Sequence, residues 1–147
     1  MKNEPITAIY CRTDCKDDDA MLHQETMLRQ YAAEHGYGNI KVYSDNGYVG
    51  LNYDRPAFSQ LQADIESSIV GTVIVKDFTQ ITMRWNLPKW VWKPQGAGVK
   101  FISVADDYDN DAPTGKGFQN LLIAMHDESR RNKKICVGLY LRLGSIE

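Results

Sequence analysis

Arg12, Asp14, Asp45 and Asp77 each fall at or just beyond the end of an apolar, strand-forming segment, and Arg55 falls at the start of a helix. A guanidinium directly after the apolar stretch Ile6–Tyr10 suits bidentate binding of a phosphate. It equally suits pairing with one of the acids nearby, and the spacing alone leaves both open for Arg12. Arg55, in Asp54-Arg55-Pro56, would by itself be a first-turn residue facing water, and Gln24 would be a surface residue of a long helix. Asp14, Asp17, Asp18 and Asp77 could gather around a Mg²⁺ ion, although their spacing fits no phospho-accepting receiver motif. Cys11 and Cys15 lie four apart without further Cys or His at zinc-finger spacing, so a zinc site is not expected. The three cysteines suit a reducing cytosol and form no disulfide framework.

The elements that must position these side chains can be read from periodicity. Ile6–Tyr10 is a first buried strand, Ile40–Tyr43 a second, Val70–Val75 a third and Val99–Val104 a fourth. Between them, Ala20–His35 carries apolar residues at helical spacing and meets a stop at Gly36. Asp54 can cap a second helix with Pro56 in its first turn, and Phe58, Leu61 and Ile65 share one face. Asp45–Gly50 reads as a turn and Asp106–Asp111 as a solvated loop. The stretch between Asp77 and Gly98 reads as a short helix followed by an irregular segment. The alternation predicts an α/β fold: a mainly parallel four- or five-stranded sheet flanked by helices, with its site at the strands' C-terminal ends.

A long helix is expected from about Thr114, with two apolar stripes separated by the charged stretch His126–Lys134. The division is therefore 1–112 for the α/β part and 113–147 for the helix, within one structural unit. At 147 residues the chain suits a single domain. A net charge of −2 gives no global field toward nucleic acid, so a DNA contact would need a local patch. Arg130, Arg131, Lys133 and Lys134 form such a patch, though most runs of this kind are solvated helix faces. No apolar run approaches membrane-spanning length, which predicts a cytoplasmic protein.

Four segments taken in order resemble the catalytic domain of the serine recombinases, the resolvase/invertase family, and most of all the large members carried on mobile elements. They are Ala8-Ile9-Tyr10-Cys11-Arg12-Thr13-Asp14, Asp45-Asn46-Gly47-Tyr48-Val49-Gly50, Asn52-Tyr53-Asp54-Arg55-Pro56-Ala57-Phe58 and Gly71-Thr72-Val73-Ile74-Val75-Lys76-Asp77. The resemblance spans roughly positions 6 to 136, a stretch long enough for several motif-level matches to hold in order. It implies attack of a serine hydroxyl on a DNA phosphodiester, a covalent phosphoserine link, and strand exchange within a tetramer, with no metal or cofactor. It also implies that Arg12 and Arg55 belong to a phosphate-binding cluster, with Gln24, Asp77, Gln80 and Arg84 beside it. The long helix would supply a dimer contact in its first half and cross DNA in its second. There Arg130, Arg131, Lys133 and Lys134 would touch phosphates without reading bases.

Three departures accompany the resemblance. Asp14 stands where the family has its serine, while Thr13 and Cys15 are adjacent residues able to act as nucleophiles. Gln80 and Met83 stand where the family has arginines. Arg84 lies one place further on, an offset of about 100° around a helix. No zinc-binding or helix-turn-helix module is read after the long helix to choose a DNA site. Together they predict a recombinase-type domain impaired in catalysis. Its partners would be DNA backbone and a second chain, either in a homo-dimer or tetramer or with an active recombinase.

Overall fold

The computed structural model describes residues 4–50, 53–81, 88–92 and 98–111. Strand β1 (Ile6–Thr13) is followed by helix α1 (Asp18–Glu34), β2 (Ile40–Asn46), α2 (Pro56–Glu66) and β3 (Val70–Val75). A 3₁₀ turn (Phe78–Gln80), a short helix α3 (Lys89–Trp92), β4 (Lys100–Ser103) and β5 (Tyr108–Asp109) complete the described chain. The five strands form one sheet in the order β2-β1-β3-β4-β5. Its first four strands are parallel and β5 pairs antiparallel with β4. The expected long helix over 113–147, with its basic patch, lies outside the described residues, as do Met83 and Arg84. Among the described residues no helix is long and apolar enough to cross a membrane.

Side chains alternate across a strand, so β1 feeds two cores. Ala8 and Tyr10 join Val73, Val75 and Phe101 under α2 and α3, where Phe58, Leu61, Ile65, Trp90 and Val91 pack. Ile9 and Cys11 face the other way with Ile74 and Ile102, against Met21, Leu28 and Ala32 of α1. The central strands β1 and β3 are thus covered on both faces, as their near-continuous apolar sequences require. Helix α1 is capped by the Asp17 side chain, which accepts from the Ala20 amide. It ends where Gly36 adopts φ +79°, with the Gly36 and Tyr37 amides returning to the carbonyls of Ala33 and Ala32. That pattern is a Schellman stop, which a residue with a Cβ would adopt less readily.

Three local expectations are corrected. β2 continues to Asn46, so Asp45 is a buried strand residue instead of a turn residue. The N-cap of α2 is Arg55, without a side-chain cap bond of its own. The carboxylate that receives the Ala57 and Phe58 amides, both at 2.9 Å, belongs to Asp45 on the neighbouring strand. An acid from outside the helix therefore does the work expected of Asp54. Third, the acidic stretch Asp106–Asp111 contains strand β5, with Tyr108 and Asn110 buried. Asn110 explains this. Its amide accepts from the Phe101 amide at 2.8 Å and donates to the carbonyls of Trp90 and Val99, at 2.9 and 3.0 Å. Tyr108 donates to the Val91 carbonyl at 2.9 Å, so this hairpin fastens α3 against β4.

Candidate active site

β1 outruns β3 at the sheet's C-terminal edge: its last pairing with β3 is Tyr10 opposite Val75, while its pairing with β2 continues to Thr13 opposite Asn46. Arg12 is consequently left without a strand partner on one side. Gln24 of α1 fills the gap, accepting from the Arg12 amide at 3.1 Å and donating to the Arg12 carbonyl at 3.3 Å. Gln24 is buried, where helical periodicity alone had placed it on the surface. In the structure it brackets the backbone at the end of β1.

Arg12 lies on the same face as Tyr10 and is buried. Its guanidinium donates to the carbonyl oxygens of Tyr48 at 2.8 Å, Thr79 at 2.5 Å and Gln80 at 3.2 Å. It also forms an ion pair with the Asp14 carboxylate. Of the two uses that spacing left open for Arg12, this geometry realises the pairing with an acid. Arg55 is 1% exposed, not a water-facing residue. It donates to the Tyr10 hydroxyl at 3.0 Å, to the Gln80 carbonyl at 2.9 Å and to the Ile81 carbonyl. The guanidinium sits 4.5 Å from the Phe58 ring centroid and 5.4 Å from that of Tyr53, in cation–π contact. Burial pulls its pKa down, and the positive charge of Arg12 acts in the same direction.

The two arginines therefore converge, and the point of convergence is the Gln80 carbonyl oxygen. The turn that presents this carbonyl is itself tied down. Asp77 caps it, accepting from the Thr79 amide at 3.0 Å and from the Thr79 hydroxyl. Asp106 accepts from the Phe78 amide at 2.8 Å and the Ser103 hydroxyl at 2.7 Å. Gln80 contributes its backbone to the arginines; its side-chain oxygen Oε1 is buried without a hydrogen-bond partner. Arg84, the sixth residue expected in this group, lies outside the described residues.

Sequence reasoning missed the hub of the cluster. Tyr10 donates to Asp45 at 2.7 Å and accepts from Arg55, so one hydroxyl couples the α2 cap to the guanidinium. Burial and the hydrogen bond to Asp45 push the Tyr10 pKa well above the ordinary tyrosine value. A tyrosine in the middle of a fully buried strand was the available signal, since its hydroxyl must find a partner. Beside this hub, the Thr13 hydroxyl donates to Asn46 at 2.7 Å and accepts from the Gly47 amide at 3.1 Å. Gly47, at φ +91°, lets the loop after β2 approach Lys16 so closely that a Cβ would lie 3.3 Å from the Lys16 nitrogen. Cys15 is exposed. As for a Mg²⁺ site, Asp17 is the cap of α1, Asp18 accepts from Asn46, and Asp77 caps the 3₁₀ turn. No group of three or more metal-ligating side chains occurs among the described residues.

The C-terminal edge of the parallel strands thus carries a cluster of two buried arginines. The family profile described as resolvase, N-terminal domain, matches residues 7–137. The chain belongs to the resolvase N-terminal domain family. Solved structures agree at the level of the fold. The N-terminal catalytic domain of TP901-1 integrase matches at a TM-score of 0.69 and 23% identity, over 86% of this chain and 96% of that one. A resolvase family site-specific recombinase from Streptococcus pneumoniae matches at 0.65 and 22% identity, over 90% and 92%. The C-terminal catalytic domain of ISC1926 TnpA, an IS607-like serine recombinase, matches at 0.59 and 22% identity, over 95% and 99%. No curated protein matches the chain. The resolvase-type architecture of serine recombinase catalytic domains, expected from the four motif segments, is thus the fold of this chain.

Proposed function

We propose that this chain is a serine-recombinase catalytic domain that no longer cleaves DNA, and that it either acts by association, as a regulatory subunit for an active recombinase, or is a remnant without a role. The observation that carries this reading is the residue at the nucleophile's place: a carboxylate, Asp14, ion-paired with Arg12. A carboxylate repels the phosphodiester it would attack, and as a weak base it is a poor nucleophile. The ester it could form with DNA would be a mixed anhydride, which water hydrolyses instead of a strand end resealing it. Gln80 and Met83 carry no charge where the family uses arginines to stabilise the phosphoryl transition state. In this reading Arg12, Arg55, Gln24 and Asp77 maintain the fold of an ancestral site. Arg130, Arg131, Lys133 and Lys134 on the terminal segment contact DNA phosphates, and the same segment joins the chain to a second subunit.

A second reading, in which a neighbouring residue replaces the serine, finds support only in the exposed Cys15 thiol. The Thr13 hydroxyl is already committed on both its donor and acceptor sides. The test is a denaturing-gel assay for a covalent protein–DNA adduct with recombination-site DNA. No adduct is expected from the wild type; an adduct would overturn the proposal. Loss of such an adduct in Cys15→Ala would then identify the thiol.

A further inference from the structure

A guanidinium has five N–H donors. Those of Arg12 meet three neutral carbonyl oxygens, from Tyr48, Thr79 and Gln80, and one carboxylate, Asp14. The carbonyls come from the interior and from the loop after β2, and are fixed by backbone. Asp14 differs in kind. It brings the only charge among these acceptors, and its side chain is 52% exposed against 3% for that of Arg12. It belongs to the exposed stretch Asp14–Lys16, between the end of β1 and the cap of α1. Rotation about its own side-chain bonds would therefore take the carboxylate into water without moving β1. A carboxylate oxygen and a phosphate oxygen accept from a guanidinium in the same way. A tethered carboxylate also competes at high effective concentration.

We propose that Asp14 is an intramolecular anion occupying the position on Arg12 that a phosphate oxygen would take, so that the resting chain excludes phosphate from its own guanidinium. This inference rests on the functional reading above and adds to it a self-occupied anion site. Loss of the serine removed the nucleophile, and its replacement by an acid also closed the binding position. The site behind Asp14 is intact: Arg12 keeps three carbonyl contacts and the Gln24 bracket without it.

The test compares the wild type with Asp14→Asn and Asp14→Ala by calorimetric titration with inorganic phosphate and, separately, with a short duplex oligonucleotide. Removing this like-signed, competing charge is expected to tighten phosphate binding about tenfold or more, the ratio that corresponds to one pK unit of charge interaction. Both variants should gain, since the cause is charge, and Asp14→Asn keeps the shape should Asp14→Ala fail to fold. The Arg12 Nε–H resonance should move on phosphate addition in Asp14→Asn and stay still in the wild type. A gain with both ligands would mean that the opened site admits a DNA backbone; a gain with phosphate alone would restrict it to the free ion. Equal affinities in all three chains would overturn the proposal. So would a gain confined to Asp14→Ala, or a motionless Arg12 resonance in Asp14→Asn. A wild-type protein–DNA adduct would overturn the functional reading instead, whereas equal phosphate affinities without an adduct would overturn this inference alone.

Discussion

Arg12 and Arg55 are buried cations near the C-terminal edge of the sheet, and the protein's own groups accept from both. Their guanidinium groups donate to the carbonyls of Tyr48 and of residues 79–81, to Tyr10 and to Asp14. A buried cation is costly unless its hydrogen bonds are met. The Gln80 and Ile81 carbonyls and the Tyr10 hydroxyl accept from Arg55 and serve that requirement, with help from the aromatic faces around it. Tyr10→Phe removes the hydroxyl alone and leaves Arg55 and Asp45 each short of one buried bond. It is expected to lower stability by about 1–3 kcal/mol, read by urea denaturation. A loss below about 0.5 kcal/mol would be that of an ordinary surface change and would contradict a hub role for Tyr10. The motif residues were legible in the sequence as a set. Their partners were not, because the Gln80 carbonyl is 68 residues from Arg12 and no side-chain pattern advertises a backbone acceptor.

At the level of elements, the sequence placed four strands and two helices close to where they lie, because alternation and helical spacing are local properties of the chain. It failed where a long-range polar contact set the boundary. β2 runs on through Asp45 because that carboxylate has three donors waiting: the Tyr10 hydroxyl and the Ala57 and Phe58 amides. β5 exists within an acidic stretch because Tyr108 and Asn110 are called inward by the carbonyls of α3 and of Val99, just before β4. The capping of α2 by a strand makes a specific expectation. Asp45→Ala should cost about 2–4 kcal/mol, combining a lost helix cap with an unsatisfied hydroxyl. In hydrogen exchange, the Ala57 and Phe58 amides should lose protection well beyond the rest of α2. Uniform loss along the helix would mean that Asp45 acts on global stability only.

On the scale of the whole molecule, the described fold buries several acids of high pKa in their neutral forms, and this sets its response to alkali. Burial pushes the Cys11 thiol from 9.0 up to about 12. Burial likewise raises Tyr10, Tyr43 and Tyr108 above the ordinary tyrosine value, with hydrogen bonds to Asp45 and Asp64 adding to the first two. A group whose folded pKa is raised stabilises the fold fully below its unfolded pKa and loses that contribution as pH rises toward the folded value. The urea midpoint should therefore fall steadily between pH 9 and about 12, and Cys11→Ala should show a shallower fall than the wild type. Parallel profiles for the two would show that the thiol is not what alkali titrates. Asp64 runs the opposite way: the Tyr43 hydroxyl, as its strongest hydrogen bond, holds its pKa below 3.8, so its contribution fades only as pH drops below that value.

By itself, the sequence determined the α/β class, the order of the first four strands and two helices, the membership of the resolvase family and the position of Arg12 and Asp14 at the end of the first strand. Those follow from periodicity and from motifs a few residues long, which survive in any register of the fold. Only the tertiary structure decided what these residues do to one another: that Arg12 and Arg55 share a carbonyl, that Asp45 caps a helix it does not belong to, and that Asp14 closes onto Arg12. The physical reason is the same throughout. A buried polar group must be matched by whatever donor or acceptor the packing brings near, and that partner comes from elsewhere in the chain, beyond the reach of local pattern.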